Sequence, residues 1–122
     1  MGLDMYLYKK VKGSEKQDVA YWRKANQIRG WFVKQGLIED DDDCVERPIT
    51  RDNLEELVND CERVLADRTL AQEILPCTRG FFFGSDEYDE YYFADLEDTI
   101  DQLNTVLETS TDEDEFIYID SW

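Results

Sequence analysis

Residues 18–35 read DVAYWRKANQIRGWFVKQ, and the element assigned to them sets how many strands remain for a sheet. Tyr21, Ala25, Ile28 and Phe32 recur at spacings of four, three and four, the period of an amphipathic helix. Trp22 and Val33 flank that stripe on one side and Trp31 on the other. Gly36 follows as a helix-terminating glycine. The stretch therefore predicts a helix over 18–35.

The flanking segments follow from the same kind of reading. LDMYLYKKV (3–11) alternates Leu3, Met5 and Leu7 with Tyr6 and Tyr8, so it predicts a strand with at least partial cover on both sides. GSEK (13–16) predicts a turn, and IEDDDDC (38–44) a solvated acidic loop. VERPIT (45–50) predicts a short strand that Pro48 confines to an edge or an end. Thr50 caps a helix over 51–67, with Leu54, Leu57, Val58, Cys61, Val64 and Leu65 on its buried face. A shorter helical stretch, 68–75, stops at Pro76.

GFFFGSDEYDEYYF (80–93) places Phe81, Phe82 and Phe83 between two glycines, an extended connection that plugs the core. Ser85 or Asp86 caps the next helix, and Glu87, Asp89 and Glu90 complement its N-terminal dipole. Tyr88, Tyr92, Leu96, Thr99, Leu103 and Val106 carry its apolar stripe, with Phe93, Ile100 and Leu107 alongside. TSTDEDE (109–115) is a second acidic loop. FIYIDSW (116–122) is a last strand with Phe116, Tyr118 and Asp120 on one side. The expected fold is a single α+β domain over 1–122. Three to four helices pack on a small, mainly antiparallel sheet of about three strands, in the order β-α-β-α-α-α-β.

Charge is divided along the chain. Residues 1–35 hold eight Lys or Arg against three acids, and residues 36–122 hold five against 27, for a total of −17. Such a surface repels phosphates, so direct nucleic-acid binding is disfavoured and a basic partner is the natural complement. No stretch is long and apolar enough to span a bilayer. The charges of MGLDMYLYKK follow its apolar run, the reverse of a secretory signal. Three widely spaced cysteines (Cys44, Cys61 and Cys77) argue against a disulfide framework and for a reducing cytoplasm, with at least two of them as core residues.

The chemistry available is limited. The chain has no histidine, which removes the commonest general base and metal ligand and any Ser-His or Cys-His pair. Neither acidic loop has the glycine and distal glutamate of an EF-hand. GFFFGS lacks a P-loop lysine and runs straight into carboxylates that would repel a phosphate. No cofactor, no metal site and no catalytic residue are assigned. One polar constellation stands out: Trp22, Asn26 and Arg29 share a side of the first helix, with Arg29 inside the apolar arc. A cation there needs a carboxylate or an aromatic face, and Tyr88, Asp89, Tyr91 and Tyr92 offer both. Two readings stay open, a structural network pinning two helices, or a pocket for a small ligand lined by Trp22, Asn26, Arg29, Tyr88, Asp89 and Tyr92.

MGLDMYLYKK, YWRKANQIRGWF, GFFFGSDEYDEYYFADLEDTI and the SW at 121–122 together resemble a family of small phage and prophage proteins. The resemblance runs the length of the chain and lends an origin more than an activity. It implies a non-enzymatic protein of the bacterial host cytoplasm that binds and inhibits a basic host protein. The type is an anti-restriction or anti-CRISPR factor acting on a nucleic-acid-processing enzyme, with DNA mimicry as one means. The surface expected to do this comprises Asp40, Asp41, Asp42, Asp43, Glu97, Asp98, Asp101, Glu108, Asp112, Glu113, Asp114 and Glu115. An oligomeric accessory protein and a small-ligand binder or enzyme are the alternatives.

Overall fold

Two strands at the start of the chain, not one, set the architecture. The computed structural model describes residues 2–10, 15–78 and 87–122. β1 (Asp4–Lys9) pairs antiparallel with β2 (Gln17–Arg23), and only then does the first helix begin, α1 (Asn26–Lys34). The helix expected over 18–35 is thus a strand followed by a shorter helix. Ala20 and Trp22 are buried while Tyr21 is 44% exposed, the period of two that defines a half-covered strand. Tyr21 is therefore no member of a helical stripe. Lys24, at φ 56°, turns the chain between the two elements.

The remaining elements are β3 (Arg47–Ile49), α2 (Arg51–Ala66), a 3-10 turn (Arg68–Leu70), α3 (Ala71–Ile74), α4 (Glu90–Glu108) and β4 (Phe116–Ser121). The fold is α+β, with a four-stranded antiparallel sheet in the order β2-β1-β4-β3. Among the described residues the element order is β-β-α-β-α-α-α-β, so the strand count is four rather than three. Pro48 sits in the edge strand β3, where a missing N–H costs no ladder bond.

Local chemistry accounts for the helix ends. Thr50 Oγ1 accepts the Asn53 N–H at 3.1 Å while Asn53 Oδ1 accepts the Thr50 N–H at 2.9 Å. This reciprocal box satisfies two otherwise orphaned donors of α2. Gly36, at φ +75°, ends α1 in the left-handed conformation that glycine adopts without strain. The cap of α4 is Asp89, which accepts the Tyr92 N–H at 3.1 Å. Ser85 and Asp86, the expected caps, lie outside the described residues. So do Phe81–Phe83 of the expected core plug and Gly13 and Ser14 of the expected turn.

One core fills the space between the sheet and the helices. Leu3, Met5, Leu7, Trp22, Phe116 and Tyr118 from the sheet meet Ile28 and Phe32 of α1, Leu54, Leu57 and Val64 of α2, and Leu96 and Leu103 of α4. Cys61 is buried in it and Cys77 packs against it, whereas Cys44 is exposed. Burial pushes the Cys61 thiol up to about 12, so it behaves as a small apolar side chain.

The free edge of β2 is closed by a side chain. Gln102 of α4 accepts the Tyr21 N–H and donates to the Tyr21 carbonyl, both at 2.8 Å, as a neighbouring strand would. Gln102→Ala is expected to lower stability by about 1 kcal/mol and to speed hydrogen exchange at the Tyr21 amide. Urea unfolding and amide exchange measure the two effects.

Candidate functional site

The apolar arc of α1 carries Arg29 into the interior, where it is fully buried. A guanidinium without water must find acceptors for a fixed fork of donors. Nε donates to Asp120 Oδ2 at 2.8 Å, and Nη2 donates to the carbonyls of Asp40 and Asp42, each at 3.0 Å. The indole of Trp122 lies 5.6 Å from the guanidinium carbon. Tyr118 donates its hydroxyl to the same Asp120 oxygen at 2.7 Å. The requirement for a carboxylate and an aromatic face is met, but by Asp120 and Trp122 rather than by the tyrosines near residue 90.

This anchoring reshapes the acidic segment 39–44, which is not a freely solvated loop. The Trp122 indole N–H donates to the Asp42 carbonyl at 2.6 Å, and the Cys44 N–H donates to the Asp120 carbonyl at 2.6 Å. The Asp42 side chain turns inward to 7% exposure. It accepts Arg47 Nε at 2.7 Å and Nη2 at 2.9 Å, and the Glu39 N–H at 3.0 Å. The paired bonds from Arg47 hold its carboxyl down to about 2. Burial pushes Asp120 the other way, above the ordinary range, against the pull of Tyr118 and Arg29. Asp42, expected on the outer acidic surface, is therefore turned inward and engaged in the fold. Asp40, Asp41 and Asp43 remain exposed.

The other expected pocket residues divide. Trp22 is buried, its indole donating to Thr99 Oγ1 at 2.8 Å. Asn26 accepts the Thr78 N–H at 2.8 Å, Tyr88 accepts the Cys77 N–H at 3.0 Å, and Tyr92 donates to the Leu75 carbonyl at 2.6 Å. These bonds tie residues 75–78 to α1 and to the start of α4. Gly30 permits the approach, since a Cβ there would meet Thr78 Oγ1 at 2.5 Å. A cleft of about 280 Å³ does open beside Asn26, Asp89, Tyr91 and Tyr92, but Arg23, Lys24, Gln27, Glu87 and Asp95 complete it. Trp22, Arg29 and Tyr88 do not line it. Gln27 donates to the Tyr92 carbonyl and to Asp95, both at 3.2 Å, and burial raises the Asp95 carboxyl. Sequence reasoning missed Gln27 and Asp95 because both lie beside, not within, the apolar stripes.

The acidic surface is mostly helical. Glu97, Asp98, Asp101 and Glu108 are exposed on α4, a 19-residue helix with neither Lys nor Arg. Asp52, Glu55, Glu56 and Glu62 are exposed on α2, which packs against it. The three-and-four periodicity that buries Leu54, Leu57 and Cys61 places those four acids outside, a signal available in the sequence. Two cations of α2 are engaged locally, Arg51 with Glu55 and with Asp112 (3.7 Å), and Arg63 with Asp60 (3.3 Å). In loop 109–115, Asp112, Glu113 and Glu115 are exposed. Asp114 instead shapes the loop: it accepts the Thr111 N–H at 2.8 Å and lies 3.3 Å from Lys9. The Thr111 bond, then Lys9, holds its carboxyl below the usual range.

Among the described residues no group of three His, Cys, Asp or Glu side chains is arranged to hold a metal ion, and no helix is long and apolar enough to cross a membrane. Comparison with known protein families, characterised proteins and solved structures finds no match.

Asp120→Asn, which removes the buried counter-ion of Arg29 and leaves only the exposed Asp40 carboxylate at 3.8 Å, is expected to cost about 3 kcal/mol in urea unfolding. Because the folded carboxyl of Asp42 titrates below its ordinary value, its contribution is present above about pH 4. It is lost as the pH falls through about 2. Asp42→Asn is expected to flatten the stability–pH curve across that acid window, read by denaturant unfolding at stepped pH.

Proposed function

We propose that this chain is a non-enzymatic, acidic interaction protein of phage or prophage origin that binds and inhibits a basic host protein. The outer faces of α2 and α4 are its main contact. The observation that carries this reading is the composition of α4, whose exposed Glu97, Asp98, Asp101 and Glu108 share a helix with no cation. Glu97 and Asp101, four residues apart, and Asp98 and Asp101, three apart, repel each other by a few tenths of a kcal/mol each. A basic surface relieves that repulsion on docking and releases bound counterions, which makes association fast and salt-sensitive. Asp40, Asp41, Asp43, Asp112 and Glu113 extend the surface; Asp42 and Asp114 do not.

The natural complement of such a layer is a groove built for phosphates, so the target class is a nucleic-acid-processing defence enzyme and the mode is competition with its substrate. Cys44, Cys61 and Cys77, present as reduced thiols, suit a reducing host cytoplasm. The cleft around Gln27 and Asp95 favours a second reading, a small-ligand site, because a half-buried carboxylate lines it together with Arg23 and Lys24.

The test is capture from host lysate with a salt-gradient elution, run in parallel for the native chain and for a variant carrying Glu97→Gln, Asp98→Asn, Asp101→Asn and Glu108→Gln. The expected result is one basic nucleic-acid-binding protein, displaced by added DNA or RNA and at least tenfold depleted with the variant. Equal capture by both chains at low salt, or indifference to nucleic acid, overturns the reading.

A further inference from the structure

The helices cover one face of the sheet, and the other face is aromatic. Tyr6 and Tyr8 of β1 and Ile119 of β4 are half-buried, Tyr21 of β2 is exposed, and all four stand outside the core cluster. Register makes them contiguous, with Tyr6 opposite both Tyr21 and Ile119, and Tyr8 opposite Ile117. The Tyr6 and Tyr8 rings stack with centroids 6.2 Å apart, and Tyr6 and Tyr21 stand 5.3 Å apart. Asp4 fixes Tyr21 by accepting its hydroxyl at 2.5 Å.

The charges around this face point to its occupant. Asp4, Glu15, Asp18 and Glu46 rim it, with Arg23 across from Asp4, and a concavity of about 550 Å³ opens between Tyr8, Glu15, Glu46 and Ile119. A cation from the chain itself already lies there. Lys16 places its ammonium 5.4 Å from the centre of the Tyr8 ring and pairs with Glu46. Lys16 precedes β2 and Glu46 precedes β3, the two opposite edges of the sheet, so the pair spans the face. Both partners are about half exposed, at 43% and 50%. An ion pair so exposed adds little stability and is readily displaced. A guanidinium is the better ligand for the same groups, because it stacks on a ring and bonds a carboxylate with two parallel N–H groups.

We propose that the open sheet face is a second contact surface, taking an arginine-bearing segment of a partner protein that seats one guanidinium on Tyr8 against Glu46 in the place Lys16 holds. The proposal rests on the reading that the partner is a basic protein, and assigns it a contact separate from α4. A second copy of the chain fits poorly, because it would set the rim carboxylates of two strongly acidic molecules against each other. A nucleic acid meets the same repulsion.

The probe is a short, end-capped arginine–glycine repeat peptide, titrated into the full chain by calorimetry and by NMR of the tyrosine ring protons. Tyr8→Ala and Glu46→Gln are each expected to weaken binding about tenfold, Glu46→Gln being the surface change that leaves folding intact. Lys16→Gln is expected to tighten it several-fold, beyond the effect of Lys34→Gln, which removes the same charge on the helical side. Equal effects of the two lysine changes overturn the proposal. So does peptide binding that leaves the Tyr6 and Tyr8 signals unmoved and is lost in the four-fold α4 variant, an outcome that leaves the helical contact standing. Shifts of those signals by a single-stranded oligonucleotide in place of the peptide, or a concentration-dependent dimer mass, overturn it as well.

Discussion

The ion pair between Arg29 and Asp120 is the constraint around which the rest of this structure is arranged. A guanidinium with no exposed surface has lost its hydration, and the lost water must be replaced by acceptors at fixed angles. Asp120 supplies charge, while the carbonyls of Asp40 and Asp42 supply neutral acceptors. One side chain of α1 thereby joins the end of β4 to the segment before β3. Trp122 closes the cluster by facing the guanidinium and bonding the Asp42 carbonyl. Asp42 then turns inward to Arg47, so part of the most acidic run in the chain serves to hold it in place.

With that cation consumed inside, the outer charge is left unbalanced. The described basic residues of the helical layer are mostly spent on local pairs, whereas α4 has none of its own. Its polar residues work inward instead: Thr99 accepts from Trp22, Asp95 accepts from Gln27, and Gln102 seals the edge of β2. The helix thus reads the sheet with one side and presents carboxylates with the other. The sheet's far face differs in kind, since tyrosine rings and an exposed Lys16–Glu46 pair form a mixed aromatic surface. The two faces are chemically distinct surfaces, one carboxylate-rich and one aromatic.

What the sequence by itself determined is the part governed by neighbours a few residues apart. The apolar stripes of α2 and α4, the Thr50 cap, the Gly36 stop, the alternation of β1 and β4 and the edge position of Pro48 were all legible, because each depends on local periodicity or a single backbone preference. Residues 17–23 were not, since Tyr21, Ala25, Ile28 and Phe32 also fit a helical period. What decides for a strand is the pairing of Tyr21 and Trp22 with β1, which a local pattern does not encode. The site behaved alike. The need of Arg29 for a carboxylate and a ring was readable, but Asp120, 91 residues on, and not Asp89, met it. Which acids face solvent and which turn inward also required the fold, because Asp42 and Asp41 are the same residue type side by side, and it is Asp42 that reaches Arg47 and the Glu39 N–H. Tertiary structure decided those points because a buried charge takes whichever partner the returning chain brings close, and that is a property of topology rather than of spacing.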